Sequence, residues 1–179
     1  MKKGITLNDH RGFTLIEVAI VMVIIGILMG AILRGQEMIK NAKDKNFQTK
    51  IRFIAAAQFT YLDRMGRYAG DTTSPPDGII NLNTTAWTEL TNQQILTTND
   101  QNHVFNGTFS FGGGVLPFTN NNYIQASRVP MWVAQSFDNK VDDGVGNTGN
   151  VRWSILAGIV YPPAGDPNEV DNMFWAFDR

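Results

Sequence analysis

The 179-residue sequence contains no cysteine. This absence excludes disulfide bonds, thiol catalysis and cysteine-ligated metal centres. It does not exclude an oxidising compartment, but an exported domain would then need another means of holding its loops together. The length suits one compact domain with an additional element rather than two full domains.

Histidine is also scarce, and the two present are His10 and His103. No recognisable nucleophile motif or phosphate-binding motif accompanies them. A catalytic site needs a positioned acid, base or nucleophile, and the sequence offers little from which to build one. We therefore predict a protein that is not an enzyme.

Proline is absent before Pro75, so nothing of that kind interrupts a helix in the first part of the chain. Apolar residues from Phe47 to Tyr61 recur at three- and four-residue spacing, with lysine and arginine between them. Gly66 is a suitable helix stop. The pattern predicts one helix from about Phe13 to about Met65.

Charge is nearly absent from residues 13–33, which read FTLIEVAIVMVIIGILMGAIL. A helix of this length measures about 31 Å, close to the hydrocarbon thickness of a bilayer. Lys2, Lys3 and Arg11 precede the run, and basic residues favour the cytoplasmic side. The sequence predicts a membrane-spanning helix with a cytoplasmic N-terminus and an exported remainder.

Glu17 is the one charged residue in the run. An ionised carboxylate at membrane depth is costly, so it needs a partner or a proton. No small-residue cleavage site closes the run, so processing is expected before it, at Gly12-Phe13. The cut would create an α-amino group on Phe13, one helical turn from Glu17. That amine could pair with Glu17 of the same chain or of a neighbouring chain.

The segment Arg11-Gly12-Phe13-Thr14-Leu15-Ile16-Glu17 resembles the prepilin peptidase site of type IV pilins and type II secretion pseudopilins. The resemblance implies cleavage after Gly12 and N-methylation of Phe13. It also implies that Glu17 guides addition of the subunit to a filament. The implied partners are prepilin peptidase, an inner-membrane assembly platform, the membrane, and copies of this chain or related pilins.

The resemblance further implies where the protein is found. The precursor is expected in the bacterial inner membrane, with its head exported, and the processed subunit in a pilus or a periplasmic pseudopilus. Major pilin, minor pilin and secretion pseudopilin share these features and remain open. A different class, a membrane-anchored adhesin or binding module of the minor-pilin type, is the alternative function.

The rest of the chain differs in charge and composition from the helix. Residues 34–67 hold eight basic and three acidic residues, a net charge of +5, whereas residues 68–179 hold four and eleven, a net charge of −7. The acidic head disfavours direct nucleic-acid binding. Frequent Gly, Asn, Thr and Pro separate short apolar runs, which predict strands at 108–111, 123–126 and 151–159, a strand or helix at 131–134, and a helix at 85–94.

The predicted fold is therefore α+β, with a long N-terminal helix, membrane-spanning and then amphipathic, packed against a small antiparallel sheet. We predict a leader peptide at residues 1–12, a transmembrane and assembly half of the helix at 13–33, an amphipathic half at 34–66, and a globular head at 67–179.

Acidic residues concentrate in the run DNKVDDGVGN, which contains Asp138, Asp142 and Asp143. Oxygen ligands at this density suit calcium. The run resembles an element near the C-terminus of proteobacterial pilin-like proteins, and major pseudopilins without disulfides hold calcium in a C-terminal loop. We predict that the protein requires no cofactor, and calcium is the one candidate. The alternative is a turn in which aspartates accept hydrogen bonds from backbone amides.

Overall fold

The computed structural model describes residues 13–115, 117–153, 155–156, 159–160 and 169–178. The chain divides into two compact units, Met1–Ala42 and Lys43–Arg179. The helices are α1 (Leu15–Met65), α2 (Asn83–Asn92) and α3 (Met131–Val141), with a short 3₁₀ helix at Thr98–Gln101. The strands are β1 (Phe109–Gly113), β2 (Asn122–Pro130), β3 (Val151–Arg152), β4 (Ile155–Leu156), β5 (Ile159–Val160) and β6 (Glu169–Ala176).

Helix α1 confirms the prediction of one uninterrupted helix. It ends at Met65, and Gly66 follows with a φ of +74°, a conformation that favours glycine at a helix C-terminus. The amide of Gly66 donates to the carbonyl of Leu62 at 2.8 Å and so closes the last turn. Helix α1 contributes residues to both units. Its first part carries the apolar segment, and its later part belongs to the head.

The C-terminal half of α1 buries one face. Phe47, Ile51, Ile54 and Tyr61 lie at the predicted three- and four-residue spacing, and each is at most 3% exposed. They pack in a cluster with residues of α2, α3 and the sheet. The helical period of the sequence therefore identified the buried stripe correctly.

Four strands form an antiparallel sheet in the order β1-β2-β6-β3, and β4 and β5 pair with each other. In the centre, Ile124 lies opposite Phe111 of β1 and Trp175 of β6. Ile124 and Ala126 are fully buried in the main core, because alternate residues of a strand share a face. A four-stranded antiparallel sheet together with the long helix confirms the α+β class and gives the chain a pilin-like architecture.

Of the two alternatives predicted for residues 131–134, the structure forms the helix. These residues begin α3, in which Val133 and Phe137 lie one turn apart and are both buried. Other elements differ from their predictions. The predicted strand at 151–159 is divided among β3, β4 and β5. Trp153 departs from β3, and its amide bonds the Gly146 carbonyl at 2.8 Å. Strand β6 was not predicted.

Helix α2 lies close to its prediction. Its bounds are Asn83–Asn92, and Trp87 and Leu90 point inward as expected, with 7% and 0% exposure. Gln94 follows in the left-handed region with a φ of 55°. The amides of Ile95 and Leu96 return to the carbonyl of Leu90, so a turn of the Schellman type ends the helix.

His103 is buried within an aromatic cluster. Its ring centroid lies 5.2 Å from that of Phe47 and 5.0 Å from that of Phe109. The Nε2 atom is 2.8 Å from the carbonyl oxygen of Ser127, and the Phe105 amide donates to Nδ1 at 3.3 Å, which assigns the proton to Nε2. Burial lowers the pKa of His103 below its usual value. A neutral, fully bonded ring of this kind serves packing.

Polar contacts, rather than a disulfide bond, hold the segment that follows α1 in place. The side-chain oxygen of Gln58 accepts from the Ala69 amide at 3.0 Å, and its Nε2 donates to the Ala69 carbonyl at 3.3 Å. Arg67 donates to Glu89 of α2 with both terminal nitrogens, at 2.6 and 3.1 Å. Glu89 also accepts from the Gly70 amide at 2.8 Å. These bonds, of which those between Arg67 and Glu89 are charge-assisted, connect the end of α1 to α2.

Gly70 is required at this junction. Its φ is +86°, and a Cβ there would lie 2.7 Å from the Ala86 side chain and from the Leu82 carbonyl oxygen. Burial raises the pKa of Glu89, but the hydrogen bonds from Arg67 and Gly70 outweigh it and hold that pKa below its usual value. A depressed carboxylate pKa stabilises the fold above the unfolded-state pKa, and this contribution is lost as the pH falls.

We predict that Glu89→Gln lowers the free energy of unfolding of the fragment 43–179 by about 1–3 kcal/mol at neutral pH, since it removes the charge that Arg67 pairs with. The difference from wild type should shrink as the pH falls below about 4.5, where an unfolded glutamate becomes protonated. Urea denaturation at several pH values measures both effects. Asp63→Asn, which removes an exposed charge at the end of α1, is the control and should change stability by less than about 0.5 kcal/mol. Equal stability of Glu89→Gln and wild type would contradict a role for the ion pair.

Candidate functional site

The N-terminal turn of α1 holds Glu17, the predicted assembly residue. Its Oε2 accepts from the backbone amide of Thr14 at 2.8 Å and from the Thr14 hydroxyl at 2.7 Å. In return the Glu17 amide donates to the Thr14 hydroxyl at 3.3 Å. This reciprocal pair is a capping box, in which Thr14 and Glu17 satisfy amides that the first helical turn leaves free.

The capping box was missed at the sequence level, although its signal, Thr-x-x-Glu before an apolar run, is present at residues 14–17. Its consequence is directional. The Glu17 carboxylate is directed back toward the N-terminal end of α1, beside the amide of Thr14, rather than outward along the helix. Phe13, directly before Thr14, is 87% exposed. Gly12, the predicted cleavage residue, lies outside the described residues.

The apolar segment that contains Glu17 exposes its apolar side chains. In the first unit Leu15, Ile27 and Leu33 are between 67% and 92% exposed. Among the described residues, α1 is the helix long and apolar enough to cross a membrane. Exposed apolar surface on this scale is unfavourable in water, so lipid or other helices must cover it.

A second candidate site lies in the loop after α3. Asp138 is at the end of α3, and Asp142 and Asp143 follow its last turn, so the helix end brings the three carboxylates together. One oxygen from each lies within 4.8 Å of the others. Asp138 is fully buried, Asp142 is partly buried and Asp143 is exposed. The three aspartates predicted as calcium ligands are thus neighbours.

Each of these carboxylates also accepts hydrogen bonds from the turn. Asp138 accepts from the indole of Trp153 at 3.0 Å and from the amide of Gly144 at 3.3 Å. Asp143 accepts from the amide of Val145 and the hydroxyl of Thr148, at 2.8 and 2.5 Å. The loop therefore has the geometry of an aspartate-stabilised turn, as the alternative interpretation expects.

Asp142 completes this turn through its Oδ2, which accepts from the amides of Asn150 and Val151. Gly149 has a φ of +67°, and a Cβ there would collide with the Asp142 carboxylate. The glycine therefore allows the backbone to approach that carboxylate closely. The arrangement holds Asp142 in place whether or not an ion is bound.

The electrostatics of the loop favour a cation. Burial raises the pKa of Asp138, and the charges of Asp143 and Asp142 raise it further. Lys140 does not supply the missing charge, because its Nζ lies 3.6 Å from Asp44 and donates to Gln48 at 3.1 Å. Carboxylate oxygens are the donors that calcium prefers. The donor set therefore fits calcium, with Asp138, Asp142 and Asp143 as the residues that would hold it.

We predict that calcium raises the melting temperature of the fragment 43–179, because it offsets the mutual repulsion of these carboxylates and binds only the folded loop. Asp143→Asn should remove most of the shift, since an amide can still accept the Val145 hydrogen bond but has no charge. Asp63→Asn is the control and should respond to calcium as wild type does. Calorimetric titration and thermal melts measure the effect. If the wild type shows no heat of binding and no shift in melting temperature, the calcium proposal is wrong.

One comparison with known proteins bears on the N-terminus. Residues 7–33 match the family model for the prokaryotic N-terminal methylation motif. This motif is the class III signal peptide of type IV pilins and pseudopilins, so the chain carries a signal of the prepilin type. No curated protein and no solved structure matches the chain.

The motif confirms the resemblance drawn from the sequence. Together with the pilin-like architecture, it supports a type IV pilin-like prepilin. Proteins with this motif are structural subunits, which prepilin peptidase processes and which assemble into filaments. The match and the apolar helix also fit a membrane-anchored precursor. The roles of Gly12, Phe13 and Glu17 in this chain stay predictions.

Proposed function

We propose that the protein is a structural subunit of a type IV pilus or pseudopilus. It is cut after Gly12 by prepilin peptidase, methylated on the amine of Phe13, and added to a filament through α1 and Glu17. The observation that supports this most directly is the combination at the start of α1. A carboxylate is directed toward the N-terminus, and it is followed by a membrane-length apolar surface that no described residue of the first unit covers.

The apolar surface needs two successive environments. Before assembly, lipid of the bacterial inner membrane covers it, with the N-terminus cytoplasmic and the head exported. After assembly, the same surface packs on α1 of neighbouring subunits, because apolar helices that are stable in lipid can also associate through van der Waals packing. An inner-membrane assembly platform would move the subunit between the two, and the filament would be a pilus or a periplasmic pseudopilus.

Glu17 makes this transfer selective. The Thr14 hydrogen bonds satisfy Oε2, but no described residue supplies a counter-charge to the carboxylate. Cleavage before Phe13 supplies a positive amine at the helix end toward which the carboxylate is directed. An anion is also favoured near the positive end of the helix dipole. A neighbouring chain whose offset brings its own amine to Glu17 would be held in register by the charge pair.

The alternative, a minor pilin that acts as a membrane-anchored adhesin or binding module, shares this N-terminal machinery. An open cleft in the head, lined in part by Tyr123, is the observation that favours it. The two functions differ in abundance, since a major subunit builds the filament and a minor one decorates it. Direct nucleic-acid binding is not proposed, because the head is acidic.

We predict that Glu17→Ala and Glu17→Gln are both inserted and exported but enter filaments at least about tenfold less than wild type, a loss of the size expected for a charged hydrogen bond. Glu17→Gln keeps an oxygen that can accept from Thr14, so it separates loss of the charge from loss of the cap. Immunoblotting of sheared filaments against whole cells measures incorporation.

Glu37→Gln is the matched control, because it removes an exposed carboxylate from α1 beyond the apolar run. It should assemble as wild type does. A defect in Glu17→Ala alone, with normal assembly of Glu17→Gln, would assign the residue to helix capping. Normal assembly of both variants would contradict any role of Glu17 in assembly.

A further inference from the structure

One end of the head carries aromatic side chains beside an exposed arginine. We call this the Arg128 surface, and it consists of Phe105, Arg128 and Trp132. The ring centroids of Phe105 and Trp132 lie 5.9 Å apart, and both residues are partly exposed. The ring of Phe105 also lies 6.0 Å from that of Phe47, so the surface belongs to the end of the head beside the first buried turn of α1. Aromatic residues and arginine are enriched in protein interfaces.

Two contacts of Ser127 join the segment of Arg128 to that of Phe105. The Ser127 amide donates to the Thr108 carbonyl at 3.0 Å, and the Ser127 carbonyl lies 2.8 Å from Nε2 of His103. Arg128 follows with a φ of +55°, although it is not a glycine and lies within β2. A left-handed backbone is unfavourable for a residue with a Cβ, and residues strained in this way cluster at functional sites.

Arg128 also differs in charge from the head around it. Residues 68–179 have a net charge of −7. Of the other basic residues described there, Lys140 lies 3.6 Å from Asp44, and the guanidinium of Arg152 donates to a backbone carbonyl at 2.6 Å. No described residue binds the guanidinium of Arg128, which is exposed. An exposed guanidinium on an acidic protein attracts a carboxylate of another molecule.

The opposite end of the head exposes three consecutive residues of complementary chemistry. They are Pro75, Pro76 and Asp77, which we call segment 75–77. Within the described part of the chain, no cation pairs with Asp77. Prolines dock on surfaces lined by aromatic side chains, and a carboxylate forms strong paired hydrogen bonds with a guanidinium. Segment 75–77 therefore fits the Arg128 surface in both apolar character and charge.

The two surfaces lie too far apart to meet within one chain. The carbonyl of Gly78, directly after Asp77, accepts from the side chain of Asn122 at 2.7 Å, at the start of β2. Arg128 lies six residues further along β2, which corresponds to about 20 Å at the rise of an antiparallel strand. Strand β2 therefore joins the two ends of the head, and pairing of Arg128 with Asp77 requires two copies of the chain.

Two other carboxylates of the described head are exposed but fit less well. Asp143 follows α3, whose Lys140 contacts α1 near its first buried turn, so Asp143 belongs to the same end of the head as the Arg128 surface. Asp63 is directly followed by an exposed arginine, which offsets its charge. Asp77 has neither disadvantage.

Subunits that leave the same membrane share one orientation, so the end of one head faces the opposite end of the next. Such a contact is heterologous, which means that it needs two different, complementary surfaces and repeats without closing. We propose that the Arg128 surface of one subunit binds segment 75–77 of the next. Arg128 pairs with Asp77, and the rings of Phe105 and Trp132 receive the two prolines. This inference rests on the proposed function, because the filament supplies the common orientation.

The test is a charge exchange in the full chain, in cells that produce only the variant, with incorporation into sheared filaments as the measurement. Arg128→Glu and Asp77→Arg should each reduce incorporation at least about tenfold, because like charges would then meet. The double variant Arg128→Glu/Asp77→Arg should restore most of it. Arg128→Glu/Asp63→Arg has the same net charge, is the matched control and should stay defective. Restoration by both double variants, or by neither, would overturn the proposal.

Arg128→Gly separates binding from folding. Glycine adopts a positive φ without steric cost, so the full chain in detergent should melt at the same temperature as wild type or higher. Incorporation into filaments should nevertheless fall, since the guanidinium is lost. A lower melting temperature together with reduced incorporation would assign Arg128 to folding and overturn the proposal.

The outcomes also separate this head contact from the proposed function. Normal incorporation of Arg128→Glu, together with a defect in Glu17→Ala, would overturn the head contact and leave assembly through α1 intact. Failure of the wild type itself to enter filaments would contradict both.

Discussion

An ionised carboxylate in an apolar helix at membrane depth costs at least about 2.5 kcal/mol unless a donor or a positive charge accompanies it. Glu17 meets this requirement in part, through the capping box with Thr14. The cap satisfies hydrogen-bonding atoms and leaves the charge. On the proposed function, an amine at the same helix end would meet the remaining need, and cleavage before Phe13 would create one. On this account one proteolytic event both removes the leader and completes the chemistry of the helix start.

The head faces a different constraint, because no disulfide holds it together. Its core is built on the buried stripe of α1, so the helix that carries the apolar run also supports the sheet. The chain after α1 is held by polar contacts of Gln58 and of Arg67 with Glu89, and Gly70 permits the close approach that these contacts need. The acidic loop after α3 is the one part of the head where like charges gather without a described counter-charge, and calcium would relieve that repulsion.

Local pattern predicted the parts of this protein that depend on local physics. The apolar run, the buried stripe from Phe47 to Tyr61 and the inward side of α2 follow from helical period, and the structure confirms them. The nature of residues 131–134 was left open, since short apolar runs fit a helix or a strand equally. Strand β6 was missed because its place between β2 and β3 is set by pairing with residues that lie 22 to 53 positions earlier in the sequence, which no local pattern shows. The cleft was missed for the same reason, because Asn83, Gly112 and Tyr123 meet only in the folded head.

The central claim is that the mature protein begins at Phe13 with a modified amine beside Glu17. Mass spectrometry of the intact chain, recovered from filaments sheared from the native cells, tests it most directly. The account predicts a mass that corresponds to residues 13–179 plus one methyl group, with the methyl group on the N-terminal fragment ion. Filaments whose subunit retains residues 1–12, or begins at any residue after Glu17, would contradict it.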